Sequence, residues 1–218
     1  MNLCIIPARA GSKRIPGKNT RLFNGRPIID YAIDCAVYAD IFDVIMISTD
    51  SVRMADNYPD YVPFMRSSDN ANDTAPLVAV VEEVLSEYRG MGRTFENVCV
   101  IFPTAVSVQA YDILAAKSKL IRGVDAVVSM CRHSHPIERS FVVRDGFAFM
   151  AHPAHRLTRT QDLPPTYYDA GQFYWITADA FHEQKTMFPR RTVPYVIEAV
   201  DIDNEEDWKR AEARFARN

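Results

Sequence analysis

Four short apolar runs recur along the chain, at residues 3–7, 44–48, 98–102 and 126–130. None shows the alternation of a strand with one wet face, and stretches with helical spacing separate them. Strands buried on both faces and alternating with helices predict an α/β protein with a mostly parallel, doubly wound (Rossmann-like) sheet. At 218 residues, the expectation is one domain over residues 1–218, with a small lobe inserted at about 132–168, where the alternation lapses.

The first strand feeds a loop over residues 9–21. It holds five cations (Arg9, Lys13, Arg14, Lys18, Arg21), no acid, and the glycines Gly11 and Gly17. Pro27 opens a helix with Ile28, Tyr31, Ala32, Cys35 and Ala36 on one face. Residues 51–57 read as a short helix after the second strand. Asp73 or Thr74 is placed to cap a helix carrying Leu77, Val80, Val81, Val84, Leu85 and Tyr88, the clearest amphipathic pattern in the chain. Gly90-Met91-Gly92 stops it. A helix over about 109–121 joins the third and fourth strands. In the lobe, Phe141-Val142-Val143 and Phe147-Ala148-Phe149 flank Arg144-Asp145-Gly146, a hairpin signature. Such a hairpin is too small to bury its own apolar residues, which suits a subunit contact. Strand signal returns at 172–176, and a terminal helix from about 204 sets Trp208, Ala211 and Phe215 on one face.

Lys and Arg number 25 against 28 Asp and Glu, a net charge of −3, so the broad basic surface of a nucleic-acid binder is not expected. No apolar run approaches the roughly 18 residues of a membrane span. The start of the sequence has no basic-then-apolar leader, so a cytoplasmic protein is expected. Cys4, Cys35, Cys99 and Cys131 form no C-x-x-C pair and read as small core hydrophobes in a reducing compartment.

Ligands of open α/β sheets sit beyond the carboxyl ends of strands, which is where the 9–21 loop lies. Backbone N–H groups near glycine, with Arg and Lys, suit a polyphosphate; a solvated basic loop is the plainer alternative. The loop is not a Walker A motif, since five residues separate Gly11 from Gly17 and Asn19 replaces Ser or Thr. No G-x-G-x-x-G occurs, so a dinucleotide oxidoreductase is unsupported. Asp201-Ile202-Asp203 puts two carboxylates on one side of an extended segment, able to hold Mg²⁺. The competing reading makes Asp203 the cap of the terminal helix, with Glu206 as its capping-box partner. His133, His135, His152 and His155 fall in or beside the lobe, but no Cys or Glu recurs at zinc-ligand spacing, so sugar contacts or a subunit interface are expected instead. Arg139, Arg156 and Arg159, near Tyr167-Tyr168-Asp169-Ala170-Gly171-Gln172, suit a carboxylated, hydroxyl-rich ligand or a surface ion-pair network.

Four segments recur in order across nearly the whole chain: Ile6-Pro7-Ala8-Arg9-x-Gly11-Ser12-Lys13-Arg14-Ile15-Pro16-x-Lys18-Asn19, Ser48-Thr49-Asp50, Pro63-Phe64-x-Arg66, and Asp201-Ile202-Asp203 ahead of Trp208. With them the sequence resembles the CMP-sugar acid synthetases. Arg159-Thr160-Gln161-Asp162-Leu163 and Tyr168-Asp169-Ala170-Gly171-Gln172-Phe173-Tyr174-Trp175 resemble, within that family, the pseudaminic acid cytidylyltransferases. The resemblance implies transfer of CMP from CTP to the anomeric hydroxyl of a nonulosonic acid, with pseudaminic acid the first choice, releasing pyrophosphate. Sialic or legionaminic acid is the alternative acceptor, and a non-catalytic nucleotide-binding partner is the alternative from another class. By the same resemblance Arg9, Ser12 and Lys18 hold the triphosphate, Asn19 and Arg66 the nucleoside, and Ala8, Gly11 and Thr74 complete the nucleotide set. Asp201 and Asp203 would bind Mg²⁺, with Arg9, Lys18 and Asp203 catalytic. Arg139 and Arg159 would meet the sugar carboxylate, Asp169 and Gln172 would lie at the sugar side, and the lobe would form a homodimer. Two positions depart from the family pattern. Ala10 stands where relatives carry Gly, and Phe102-Pro103-Thr104-Ala105 replaces Gln-Pro-Thr-Ser, which removes a polar contact expected for ordinary sialic acid.

Overall fold

The computed structural model describes residues 1–12, 14–72 and 74–215. Lys13 of the basic loop, and Asp73 as a helix cap, lie outside the described residues. In chain order the elements are β1 (Asn2–Pro7), β2 (Leu22–Phe23), β3 (Arg26–Pro27), α1 (Ile28–Ala39), β4 (Val44–Ser48), α2 (Val52–Asn57), α3 (Leu77–Gly90), β5 (Asn97–Ile101), α4 (Ala110–Ser118), β6 (Ala126–Arg132), β7 (Phe141–Arg144), β8 (Phe147–Met150), β9 (Tyr167–Thr177), α5 (Ala178–Gln184), β10 (Thr192–Val196) and α6 (Glu205–Phe215). Six strands form one sheet in the order β10-β6-β9-β5-β1-β4. Neighbours run parallel except at β9, which is antiparallel to both β5 and β6.

Successive side chains of β1 enter opposite layers. Cys4 and Ile6 join a core under α1 and α4, while Leu3 and Ile5 join a core under α3 and α5. This two-sided burial is why the strands read as unbroken apolar runs. The α3 stripe Val80, Val81, Val84, Leu85 and Tyr88 is buried as its spacing requires. All four cysteines are buried free thiols, and burial pushes Cys4, Cys35 and Cys99 above the usual thiol range.

Several details differ from the sequence reading. β9 begins at Tyr167, well ahead of residue 172, and it runs against its neighbours. β10 was not foreseen because Pro194 sits in its middle; the strand is an edge, where a missing N–H leaves no ladder bond broken. Asn24 and Gly25, at φ +47° and +88°, turn the small β2–β3 hairpin. Thr74 does not cap α3, which follows Pro76 without a side-chain cap. Its N–H and hydroxyl instead both donate to Asn72 Oδ1, at 2.9 and 2.7 Å. Asp203 does not cap α6. Asn204 does, its Oδ1 accepting from the N–H groups of Glu206 and Asp207 at 2.9 and 3.0 Å. Asp207 Oδ2 reciprocates toward the N–H of Asn204, so the capping box is Asn204/Asp207 rather than Asp203/Glu206.

The segment between β6 and β9 carries a separate two-stranded sheet, β7–β8, turned by Asp145 and Gly146 at φ +51° and +80°. Phe141, Val143, Phe147 and Phe149 are exposed on it. A third apolar cluster gathers Ile15, Phe23, Ile28, Val106, Ile202, Trp208 and Ala211, with Phe215 packed against it. Among the described residues no helix is long and apolar enough to cross a membrane.

Candidate active site

From β1 the chain returns through α1 to β4 on one side; from β5 it continues toward β6 on the other. Ligands gather at such a switch point. A cleft of about 580 Å³ opens there, between the loop after β1 and Phe102-Pro103-Thr104 after β5. Arg9, Gly11, Ser12, Arg14, Lys18 and Asn19 line one wall, and Arg66, Ala75, Leu77 and Val80 contribute the rest with Pro7.

Local bonds fix this wall. Asp50, just past β4, accepts the N–H of Ala10 at 2.7 Å. Asn19 Nδ2 donates to the Arg9 carbonyl at 3.0 Å. Ala8 is buried, its N–H donating to the Ser48 carbonyl at 2.9 Å. Arg66, only 8% exposed, donates through Nε to Ser48 Oγ at 2.9 Å and through Nη2 to the Ser48 carbonyl at 2.6 Å. Burial lowers its pKa, and Asp50 and Glu83 oppose that.

The opposite charges meet because apolar neighbours bring them together. Ile15 of the basic loop and Ile202 between the two acids are both fully buried in the third cluster. Burying each isoleucine contributes roughly 1.5–3 kcal/mol. With Ile202 turned inward, the alternation of an extended segment turns Asp201 and Asp203 outward. Lys18 Nζ then donates to the Ile202 carbonyl at 2.6 Å and lies 3.9 Å from Asp203 Oδ1. Arg14 pairs with Asp203 Oδ2 at 2.8 Å. Burial lowers the Lys18 pKa, with Asp203 and Asp201 acting against it. Burial, and then the neighbouring Asp203 charge, raise the Asp201 pKa.

The other expected site residues are dispersed. Arg21 leaves the cleft group: it pairs with Glu205 at 2.5 Å and lies 4.5 Å over the Trp208 ring. Thr74 is exposed and does not line the cleft. Arg139 and Arg159 are exposed in the lobe, and Arg139 Nη1 donates to the Arg156 carbonyl at 3.1 Å. Neither lines the cleft. His133 packs on Tyr168 with ring centroids 4.9 Å apart. Gln172 is buried, its Nε2 donating to the Ala170 carbonyl at 2.9 Å while its Oε1 has no partner among the described residues. Both oxygens of Asp169 are already engaged, by the Gly171 N–H at 2.9 Å and the Tyr174 hydroxyl at 2.5 Å. Burial, then that hydroxyl bond, push the Tyr174 phenol far above its usual value. The sequence reading missed Asp50 as the loop's anchor; its position just after a parallel strand was the available signal. It also missed that Phe102, 5.3 Å from the Tyr174 ring, forms an apolar wall.

The donor set at Asp201 and Asp203 suits a hard divalent cation. Asp201 is exposed and its carboxyl has no hydrogen bond among the described residues. Two anionic oxygen donors, completed by phosphate oxygens and water, match what Mg²⁺ accepts.

A glycine-bearing basic cleft at the switch point of an α/β sheet, with Asp203 paired to two of its cations, defines a nucleotide-handling transferase of the doubly wound class. The chain belongs to the cytidylyltransferase family, whose sequence model matches residues 3–214. It is 32% identical over 225 residues to the pseudaminic acid cytidylyltransferase of Campylobacter jejuni, across 100% of this chain and 97% of that protein. It is 31% identical to the CMP-N,N'-diacetyllegionaminic acid synthase of Legionella pneumophila, across 99% and 97%. Among solved structures, CMP:2-keto-3-deoxy-manno-octonic acid synthetase complexed with CTP shares the fold at a TM-score of 0.70 and 15% identity, over 99% of this chain and 98% of that one.

Proposed function

We propose that this cytidylyltransferase transfers CMP from CTP to the anomeric hydroxyl of a nonulosonic acid, pseudaminic acid first among them. One observation carries the reading: Lys18 and Arg14 line one cleft with Arg9 and Ser12, and both reach Asp203 of the Asp201/Asp203 pair. In the reaction the anomeric oxygen bonds to the α-phosphorus while the bond to the pyrophosphate oxygen breaks. Pyrophosphate leaves with that electron pair, and the hydroxyl proton is released. The chain's part is positioning and charge neutralisation, the main terms in phosphoryl-type transfer. Arg9, Lys18 and the Gly11-Ser12 backbone hold the phosphates; Asn19 and Arg66 bound the nucleoside end. A Mg²⁺ ion held by Asp201 and Asp203 would supply Lewis-acid stabilisation of the phosphate oxygens. The choice of acceptor follows the Campylobacter relative and the Phe102 wall. The identity to the Legionella relative makes legionaminic acid the second candidate. We place the enzyme in the cytoplasm as a homodimer joined through the β7–β8 hairpin.

The test is pyrophosphate release from CTP and Mg²⁺ with a panel of nonulosonic acids, the CMP-sugar being identified by mass. Pseudaminic acid should react fastest. Preference for legionaminic or sialic acid would overturn the acceptor, and no product with any acid would overturn the reaction.

A further inference from the structure

Between β6 and β9 the register breaks. Val128 pairs with Tyr174 and Met130 with Asp169, so one residue, Ser129, faces four, Ala170 to Phe173. A bulge this large needs its own partners, because its backbone groups have lost their ladder. It has them. Ser129 Oγ accepts the Phe173 N–H at 3.0 Å, the Gln172 carbonyl accepts the Phe102 N–H at 2.9 Å, and Asp169 Oδ1 accepts the Gly171 N–H at 2.9 Å. The other Asp169 oxygen takes the Tyr174 hydroxyl, from a ring that is 4% exposed.

The bulge tip rests against Asp201. A Cβ built on Gly171 would lie 3.7 Å from Asp201 Cγ and Oδ1 and 3.8 Å from Oδ2, so the carboxyl group sits over the bare glycine. Gly171 is at φ +59°, a conformation that glycine adopts freely and other residues adopt with strain.

We infer that Asp169, clamped by Tyr174, is a positioning residue: it holds the Gly171 turn as the platform that orients the Asp201 carboxylate. The inference rests on the proposed role of Asp201 as a metal ligand. It gives Asp169 a different role from a sugar contact, since its two oxygens serve the turn and the clamp. Outer partners that orient a ligating carboxylate set metal affinity without touching the metal.

The test is Mn²⁺ titration of the full chain with CTP present and no acceptor, against CTP alone, followed by electron paramagnetic resonance, alongside the apparent KM for Mg²⁺ and kcat in turnover. Asp169→Ala should weaken Mn²⁺ binding about tenfold or more, the usual effect of losing such a partner. The KM for Mg²⁺ should rise more than kcat falls. Asp169→Asn should restore Mn²⁺ affinity, because its amide oxygen still accepts the Gly171 N–H and its NH₂ can donate to the Tyr174 oxygen. Tyr174→Phe removes only the hydroxyl and should weaken Mn²⁺ in the same direction by less, which keeps the test open should Asp169→Ala not fold. Asp201→Asn separates the two readings. If it binds Mn²⁺ as wild type does, or if wild type takes up none, the metal assignment fails and the inference with it. If Asp201→Asn loses Mn²⁺ while Asp169→Ala or Tyr174→Phe only lowers the melting temperature, the platform role is overturned and the metal site stands.

Discussion

Replacing Lys18 with methionine isolates its charge. Methionine keeps much of the apolar stem that packs in the loop and removes the ammonium that donates to the Ile202 carbonyl at 2.6 Å and faces Asp203 at 3.9 Å. Two magnitudes then diverge. For catalysis, losing one preorganised group aimed at developing charge typically lowers kcat by about 10²–10³-fold, or about 2.7–4 kcal/mol of barrier. For stability, the hydrogen bond to Ile202 is charge-assisted, but relief of the ammonium's burial offsets part of its loss. A net change of about 1 kcal/mol corresponds to a melting shift of about 2–4 °C for a chain of this size. Pyrophosphate release at saturating CTP and Mg²⁺, beside thermal melting, measures both. Arg21→Met is the internal control: it removes a cation from the same loop, but one committed to Glu205 and Trp208, so turnover should hold while stability falls. Lys18→Met turnover within about threefold of wild type, far short of the expected loss, would refute the assignment. So would an equal loss of turnover in Arg21→Met, since the effect would then be general to the loop's charge.

Asp203→Asn should lose most turnover with little change in melting temperature, whereas Asn204→Ala should lower the melting temperature through a lost cap of about 1 kcal/mol and largely keep turnover. Kinetics and melts on the pair check this, and the reverse pattern would return Asp203 to a structural role. Asp125 accepts from Arg191 at 2.5 and 3.0 Å, and those bonds hold its carboxyl below the ordinary aspartate value of 3.8. The stability it adds is therefore present above pH 3.8 and lost as pH falls through its lower folded value. Asp125→Asn should lower the urea midpoint at pH 7, with the gap from wild type narrowing toward pH 3; a gap independent of pH would contradict the linkage. Phe147, 70% exposed on the hairpin, is a direct probe of assembly. Phe147→Asp should convert a dimer to a monomer in light scattering, and a wild-type monomer at micromolar concentration would rule the interface out.

The strands, the amphipathic α3 and the β7–β8 turn were legible because each depends on neighbours in sequence: apolar runs, helical spacing, Asp-Gly. The direction of β9 was not, since a run buried on both faces reads alike whichever way it runs. Asp203 and Asn204 compete for one cap with nearly equal propensity. The choice falls to Asn204 because Asp203 is drawn to Arg14 and Lys18, cations some 184 residues away in sequence for the Lys18–Ile202 contact. The same distance hid the sorting of the basic loop, where nothing local distinguishes Lys18, turned to the cleft, from Arg21, turned to Trp208. The motif residues gave the chemistry; the cluster of Ile15, Ile202 and Trp208 decides which charges meet.

The reversal of β9 has a topological consequence. β6 runs with β1 and so ends at the rim where the basic loop departs; β9 runs against it and so begins at that rim. Arg132 and Tyr167 are ladder partners, which pins the two ends of the intervening excursion one strand apart. Everything between them leaves and re-enters the molecule at a single doorway on that rim, clear of both core layers. Changing the length of such an excursion is cheap, since each doubling adds only about 0.6 kcal/mol of closure entropy. The architecture thus separates two inheritances. The basic loop and its wall are locked into the sheet, while the rim piece is free to change in length without disturbing either core layer.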